Sequence, residues 1–226
     1  MKTVGAIFGK QMADLPKNIS VSIIYIAFPI IAFIAGLVSD DIVGQMASFA
    51  AMTAAVVPMI GIATTVAEDM EYKSLRFMVM AGVKPVQYLM GIIGFVCLMT
   101  LLPMAFYTYL GEFISQGIFI GIAITSALSI IASAILGGVI GIFSKNVQQA
   151  TAIYTPVMMS VMFLPMLASI SETLEWLVAF LFTTQAVIIA TDSEANLTHA
   201  IIIIGVNITV LLALFVLAYK KKGLKG

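Results

Sequence analysis

Residues 64–91 read TTVAEDMEYKSLRFMVMAGVKPVQYLMG. A charged, amphipathic segment here separates two apolar runs, each long enough to cross a bilayer, and its Lys73, Arg76 and Lys84 set the polarity of everything around it. Lysine and arginine collect on the cytoplasmic side of membrane proteins. The remaining basic residues keep the same register. Lys2, Lys10 and Lys17 precede the first apolar run, Lys145 follows the fourth, and Lys220, Lys221, Lys222 and Lys225 follow the last. The alternate loops hold Asp40, Asp41, Glu112, Glu172, Glu175, Asp192 and Glu194, with no Lys or Arg. This pattern predicts six crossings with both termini in the cytoplasm.

Composition agrees with a lipid environment. The chain is 62% hydrophobic and 10% charged, with mean hydropathy +1.13. A crossing helix needs about 20 apolar residues, so six of them leave little of a 226-residue chain for a separate soluble domain. Zero formal net charge offers nothing to nucleic acid. The single cysteine, Cys97, lies inside an apolar run, so there is neither a disulfide framework nor a cysteine metal set. The first apolar run is too long for the core of a secretion signal and reads as an uncleaved helix.

The expected fold is all-α: a single membrane domain over 1–226 with crossings at 19–38, 44–67, 86–110, 118–143, 149–169 and 200–219. Residues 1–18 form an interfacial amphipathic helix, because Val4, Ile7, Phe8, Met12 and Leu15 recur at helical spacing, with Pro16 and Asn18 marking its end. Residues 220–226 form a basic tail. Residues 171–199 are apolar but interrupted by Thr183, Thr184 and Gln185. A seventh crossing there would put the lysine tail outside, so the charge rule favours an external re-entrant hairpin with Trp176 at headgroup level. Gly137, Gly138 and Gly141 close the fourth crossing at spacing that suits a close helix–helix seam.

Within 68–85, Leu75, Met78 and Val79 share a stripe, Glu68, Asp69 and Glu71 crowd what reads as a helix N-terminus, and Gly82 and Pro85 end the segment. By local chemistry alone this is a capped loop helix with a solvated face. The stretch also resembles the signature of ABC-2 type transporter permeases, the membrane subunits of ABC exporters. In that family the second helix ends in Ala-Glu-(acid)-x-Glu. A small polar residue, a Leu, a Val-x-Pro turn and Tyr-Leu-x-Gly at the start of the third helix follow. Ala67, Glu68, Asp69, Glu71, Ser74, Leu75, Val83, Pro85, Tyr88, Leu89 and Gly91 stand at those places. Lys73 stands where the family usually has Gly, and Ile92 where it usually has Lys.

The resemblance implies that 68–85 is a coupling helix seated in a separate ABC ATPase subunit. Leu75, Phe77 and Met78 would make apolar contacts with it, while Glu68 and Glu71 orient the helix and pair with basic residues across the interface. It further implies a second permease, identical or different, and ATP with Mg bound only by the partner. The chain itself contains no GxxxxGK[ST] phosphate loop. Expected cargo is apolar or amphipathic, such as an antimicrobial peptide, a drug or a lipid-like molecule, exported across a bacterial plasma membrane.

No Asp, Glu, Lys, Arg or His falls in the middle of a proposed crossing, which argues against ion coupling. Met158, Met162 and Met166 recur every fourth residue in the fifth crossing between Pro156 and Pro165, and methionine surfaces adapt to varied ligands. With Thr53 and Tyr154 they are the expected lining of a substrate path, although such a stripe equally suits packing. Two other classes stay open: a non-transporting immunity or sensor-accessory protein of this fold, and an intramembrane enzyme. The enzyme lacks support, because one histidine, His199, stands far in sequence from the Glu68–Asp69 pair and a metal site wants several converging ligands.

Overall fold

A computed structural model describes residues 2–14, 19–167, 172–192 and 195–222. Among these every regular element is a helix: α1 (Lys2–Asp14), α2 (Ile19–Val38), α3 (Ile42–Glu71), α4 (Ser74–Met80), α5 (Pro85–Leu110), α6 (Phe119–Phe143), α7 (Val147–Leu167), α8 (Glu172–Val178), α9 (Phe182–Thr191) and α10 (Leu197–Lys222). Four of them, α3, α5, α6 and α10, are long and apolar enough to cross a membrane. A chain of this kind is a multi-pass membrane protein. The expected end of α1 at Pro16 and Asn18 lies outside the described residues.

The bundle is built around α3. Its Ala47, Ala50, Ala51, Ala54, Ala55, Ala63 and Ala67 are buried, and α2, α5, α6, α7 and α9 all pack on it. Small side chains let backbones approach, which is how helices gain dispersion energy where lipid removes the hydrophobic drive between them. The tightest approach is to α6. A Cβ on Gly137 would strike the backbone of Met59, one on Gly141 would meet Val66, and one on Gly138 would meet the Phe215 ring of α10. The glycine spacing is therefore a packing seam. Gly137→Ala is expected to destabilise the protein by about 2 kcal/mol, since the obstructing Met59 atoms are backbone and cannot rotate away. Gly205→Ala, where a Cβ meets nothing within 4 Å, serves as the neutral control. Thermal unfolding in detergent compares the two.

Contacts sort the charges into two ends. Lys10 of α1 pairs with Asp69 at the end of α3, Glu71 accepts from Val147 N–H at the start of α7, and the Tyr219 hydroxyl of α10 donates to Val83 O. One end of the bundle thus gathers Lys10, Lys73, Arg76, Lys84, Lys145, Lys220 and Lys221. At the opposite end Phe113 packs with Met46, Ile122 and Ala190, which places Asp41, Glu112 and Asp192 there. Asp41 caps α3, its carboxylate accepting from Gly44 N–H at 2.9 Å. Between α8 and α10, the Thr183–Gln185 interruption sits in α9 and is buried against α3, α6 and α10, while Trp176 of α8 is 66% exposed and stacks edge-on against Phe180.

Candidate functional site

The segment that organises the basic end is not one helix over 68–85. α3 runs on through the acidic residues to Glu71, and the chain breaks at Tyr72–Lys73 before the seven-residue α4. Glu68, Asp69 and Glu71 therefore lie at a helix C-terminus, where the dipole disfavours them, and not at an N-terminus. The break is made by Lys73 in the left-handed region, φ 58°. Glycine adopts that conformation freely, whereas a side chain there costs about 1 kcal/mol. Lys73→Gly is accordingly expected to stabilise the protein by up to about 1 kcal/mol, read as a higher unfolding midpoint. A lower midpoint would mean that the lysine makes a compensating contact.

The far end of α4 closes by geometry that Gly82 makes possible. With φ at 79°, its N–H reaches Val79 O at 3.0 Å and Val83 N–H reaches Met78 O at 3.0 Å. This is the paired bond pattern of a Schellman stop. Pro85 then opens α5, with Gln87 accepting from Lys84 N–H at 3.2 Å. α4 is thus a short rigid rung between two defined turns.

What fixes that rung is Asp69, 2% exposed. Its carboxylate receives the Lys10 ammonium of α1, the Ser74 hydroxyl of α4 at 3.1 Å and the Tyr88 hydroxyl of α5 at 2.7 Å. Tyr88, fully buried, lies against the Tyr219 ring of α10 with centroids 5.7 Å apart. One side chain on α3 therefore ties α1, α4 and α5 together and, through the tyrosine pair, reaches α10. Charged hydrogen bonds to a buried carboxylate are strong, and they offset the unfavourable dipole at this helix end.

The side chains expected to meet a partner divide between inward and outward. Leu75 is 0% exposed and belongs to the core with Val66, Tyr88, Leu89 and Ile142; it seats α4 and cannot reach a partner from the surface. Met78 is half-buried against the same core. Phe77 is 64% exposed, and it is flanked outward by Tyr72 and Met80. Glu68 is half-buried with a partner of its own. Glu71 is exposed, and its carboxylate caps α7 through Val147 N–H at 3.3 Å. The outward face of this region is consequently apolar and basic, with Lys73, Arg76 and Lys84 around Tyr72, Phe77 and Met80. Asp69, Ser74 and Tyr88 stand in the pattern, but the pattern gave them no role; the structure joins them in one hydrogen-bonded cluster.

The expected path residues do not converge on an open channel within this chain. Thr53 is buried and shares a 2.9 Å hydrogen bond with the Tyr107 hydroxyl between α3 and α5. Tyr154 and Met158 pack against Met59, Ala63 and Ile140. Met162 is half-buried, and the side chain of Met166 lies outside the described residues. The exposed large apolar residues of α7 are others, Met159 and Phe163. Tyr154 and Met158 are half-buried, with one side against that packing. Among the described residues no group of three His, Cys, Asp or Glu side chains comes together as a metal site.

No protein-family model matches the chain, and no curated protein matches it.

Proposed function

We propose that this chain is the permease subunit of an ATP-driven ABC exporter, with α4 as the helix that a separate ATPase subunit grips. The observation that carries the reading is the pairing of opposite properties in seven residues. α4 presents Phe77 outward, with Tyr72 and Met80 beside it, yet it is locked inward by Leu75 and by the Asp69 cluster. Exposed aromatic side chains among cations mark an interaction surface. A rigid tie from that surface to α1, α3 and α5 lets a push on α4 move the bundle, where a tethered loop would absorb it.

In this reading α2 and α7, at 20 and 21 residues, complete six crossings with α3, α5, α6 and α10. The basic end faces the cytoplasm, α1 lies in the interface, and α8 with α9 forms the external hairpin. A second permease subunit, the same chain or another, supplies the other wall of the substrate path. The cargo is apolar or amphipathic. ATP and Mg belong to the partner.

The partner surface that fits α4 is an apolar groove with an acidic rim, because the unengaged charges around Phe77 are all positive. The test is a mild-detergent pull-down from native membranes. An ATPase subunit with a phosphate-binding loop should accompany the wild-type protein. Phe77→Asp should reduce it at least tenfold without altering the amount of permease in the membrane, since Phe77 is exposed. A clean preparation from cells expressing neighbouring genes would contradict the proposal.

A further inference from the structure

A large cavity lies away from α4, at the acidic end. It is a trough of about 1010 Å³ between α5 and α6, with Ala50 of α3 lining it. Its α6 wall runs from Phe119 to Ile130, about 16 Å at the helical rise. The walls are apolar, with two exceptions that matter. Glu112 stands at the mouth, exposed, its backbone held at φ 50° by the turn that ends α5. Ser126 lines the trough about two turns below Phe119; it is only 4% exposed and its hydroxyl has no hydrogen-bond partner among the described residues. The neighbouring hydroxyls are already engaged: Thr108 donates to Met104 O, Thr125 to Gly121 O and Ser115 to Glu112 O.

A hydroxyl that opens into the trough and bonds to no described residue can exchange a hydrogen bond with a molecule that enters it. A carboxylate at the rim of an apolar trough favours a cation at that end. From these we infer that the α5–α6 trough binds a single-chain cationic amphiphile, with its ammonium group at Glu112, a polar linkage within reach of Ser126 and its apolar tail toward Leu101 and Ile130. A bilayer phospholipid is a poor occupant. Its phosphate would sit beside Glu112, and no Lys or Arg lines the trough to receive it. This site goes beyond the coupling surface and does not depend on it, because binding needs no ATPase.

The test is photolabelling of the purified full chain in phosphatidylglycerol nanodiscs. The probe is an alkyl trimethylammonium carrying a diazirine in its chain, compared at equal membrane-bound amounts with the matching alkyl sulfate. The ammonium probe should label peptides spanning 101–105 and 123–130 and should be displaced by unlabelled alkyl trimethylammonium. Glu112→Gln, an exposed and conservative change, should lower that labelling about fivefold. Ala127→Phe, filling the trough, should remove it, and an unchanged thermal midpoint for each variant separates loss of binding from loss of fold. Equal labelling by ammonium and sulfate probes would overturn the inference, as would labelling unaffected by both substitutions. Displacement by phosphatidylethanolamine at ordinary bilayer content would assign the trough to lipid and overturn it as well.

Discussion

Replacing Leu75 by aspartate releases α4 from the bundle. Leu75 is 0% exposed among Val66, Tyr88, Leu89 and Ile142. The change removes about 2 kcal/mol of apolar burial and places a carboxylate where no described cation stands beside it, which costs at least as much again. The docked form of α4 should therefore lose about 4 kcal/mol, roughly a thousandfold in its equilibrium. The loss is local, because the chain can answer by undocking the seven residues Ser74–Met80 and leave the long helices packed. Limited trypsin digestion reads this directly. Cleavage at Lys73, Arg76 and Lys84 should accelerate by orders of magnitude while the bundle keeps its helical signal. An ATPase that binds the wild type should be lost as well, through collapse of its docking surface and not through a missing contact. Digestion at the wild-type rate would mean that Leu75 does not hold α4.

Asp69→Ala should do comparable damage by a different route. Three hydrogen bonds end on this carboxylate, and its removal leaves the hydroxyl of Tyr88, itself fully buried, without an acceptor. The expected cost is about 3 kcal/mol. It stays below the penalty for stranding a deeply buried charge because the Lys10 side chain is 42% exposed and water can take over its ammonium. Relief of the unfavourable helix dipole returns a few tenths of a kcal/mol. Asp69→Asn, which keeps an acceptor for Tyr88, should lose less than half as much. Hydrogen exchange localises the effect: α1, the start of α5 and α4 should all gain exchange in Asp69→Ala, whereas α9 should not. Uniform loosening of the whole bundle would contradict the view of Asp69 as a local tie.

The two residues explain what the sequence made legible and what it did not. Apolar runs of membrane length announce themselves, so α2 begins and ends where hydropathy places it, and α5 and α6 come within a residue. The glycines of α6 announce a close seam because spacing that brings backbones together has few other uses. The interior orientation of each helix is another matter. A soluble helix separates its buried and solvated faces by polarity, but in lipid both faces are apolar and periodicity loses its meaning. That is why the Met158 stripe, equally consistent with a substrate path or with packing, proved to lie partly against Met59 and Ile140. Leu75 was misjudged for a related reason: on a seven-residue helix, one apolar residue faces the core and another faces outward, and nothing local says which. The role of Asp69 depends on Lys10, 59 positions away, a pairing no single-sequence pattern contains. The extension of α3 to Glu71 was also hidden, since three acids in a row of four suit a helix start better than a helix end.

Lys73 is a place where sequence pattern and backbone can be compared. The position where the ABC-2 pattern prefers glycine is the one where this chain turns through φ 58°. A departure that looks like a change of charge is, physically, a change in the strain of the turn that launches α4.

The most direct measurement of the central claim is in-cell photocrosslinking from position 77. A photoreactive phenylalanine analogue at Phe77 keeps the ring and its exposure, and at Trp176, exposed on α8, it provides the control. Irradiation of living cells followed by mass spectrometry should give a covalent adduct from position 77 to a soluble ATPase subunit with a phosphate-binding loop, and none from position 176. An adduct from position 77 to lipid alone, or the same ATPase captured from both positions, would contradict the assignment of α4 as the helix through which ATP hydrolysis reaches the membrane bundle.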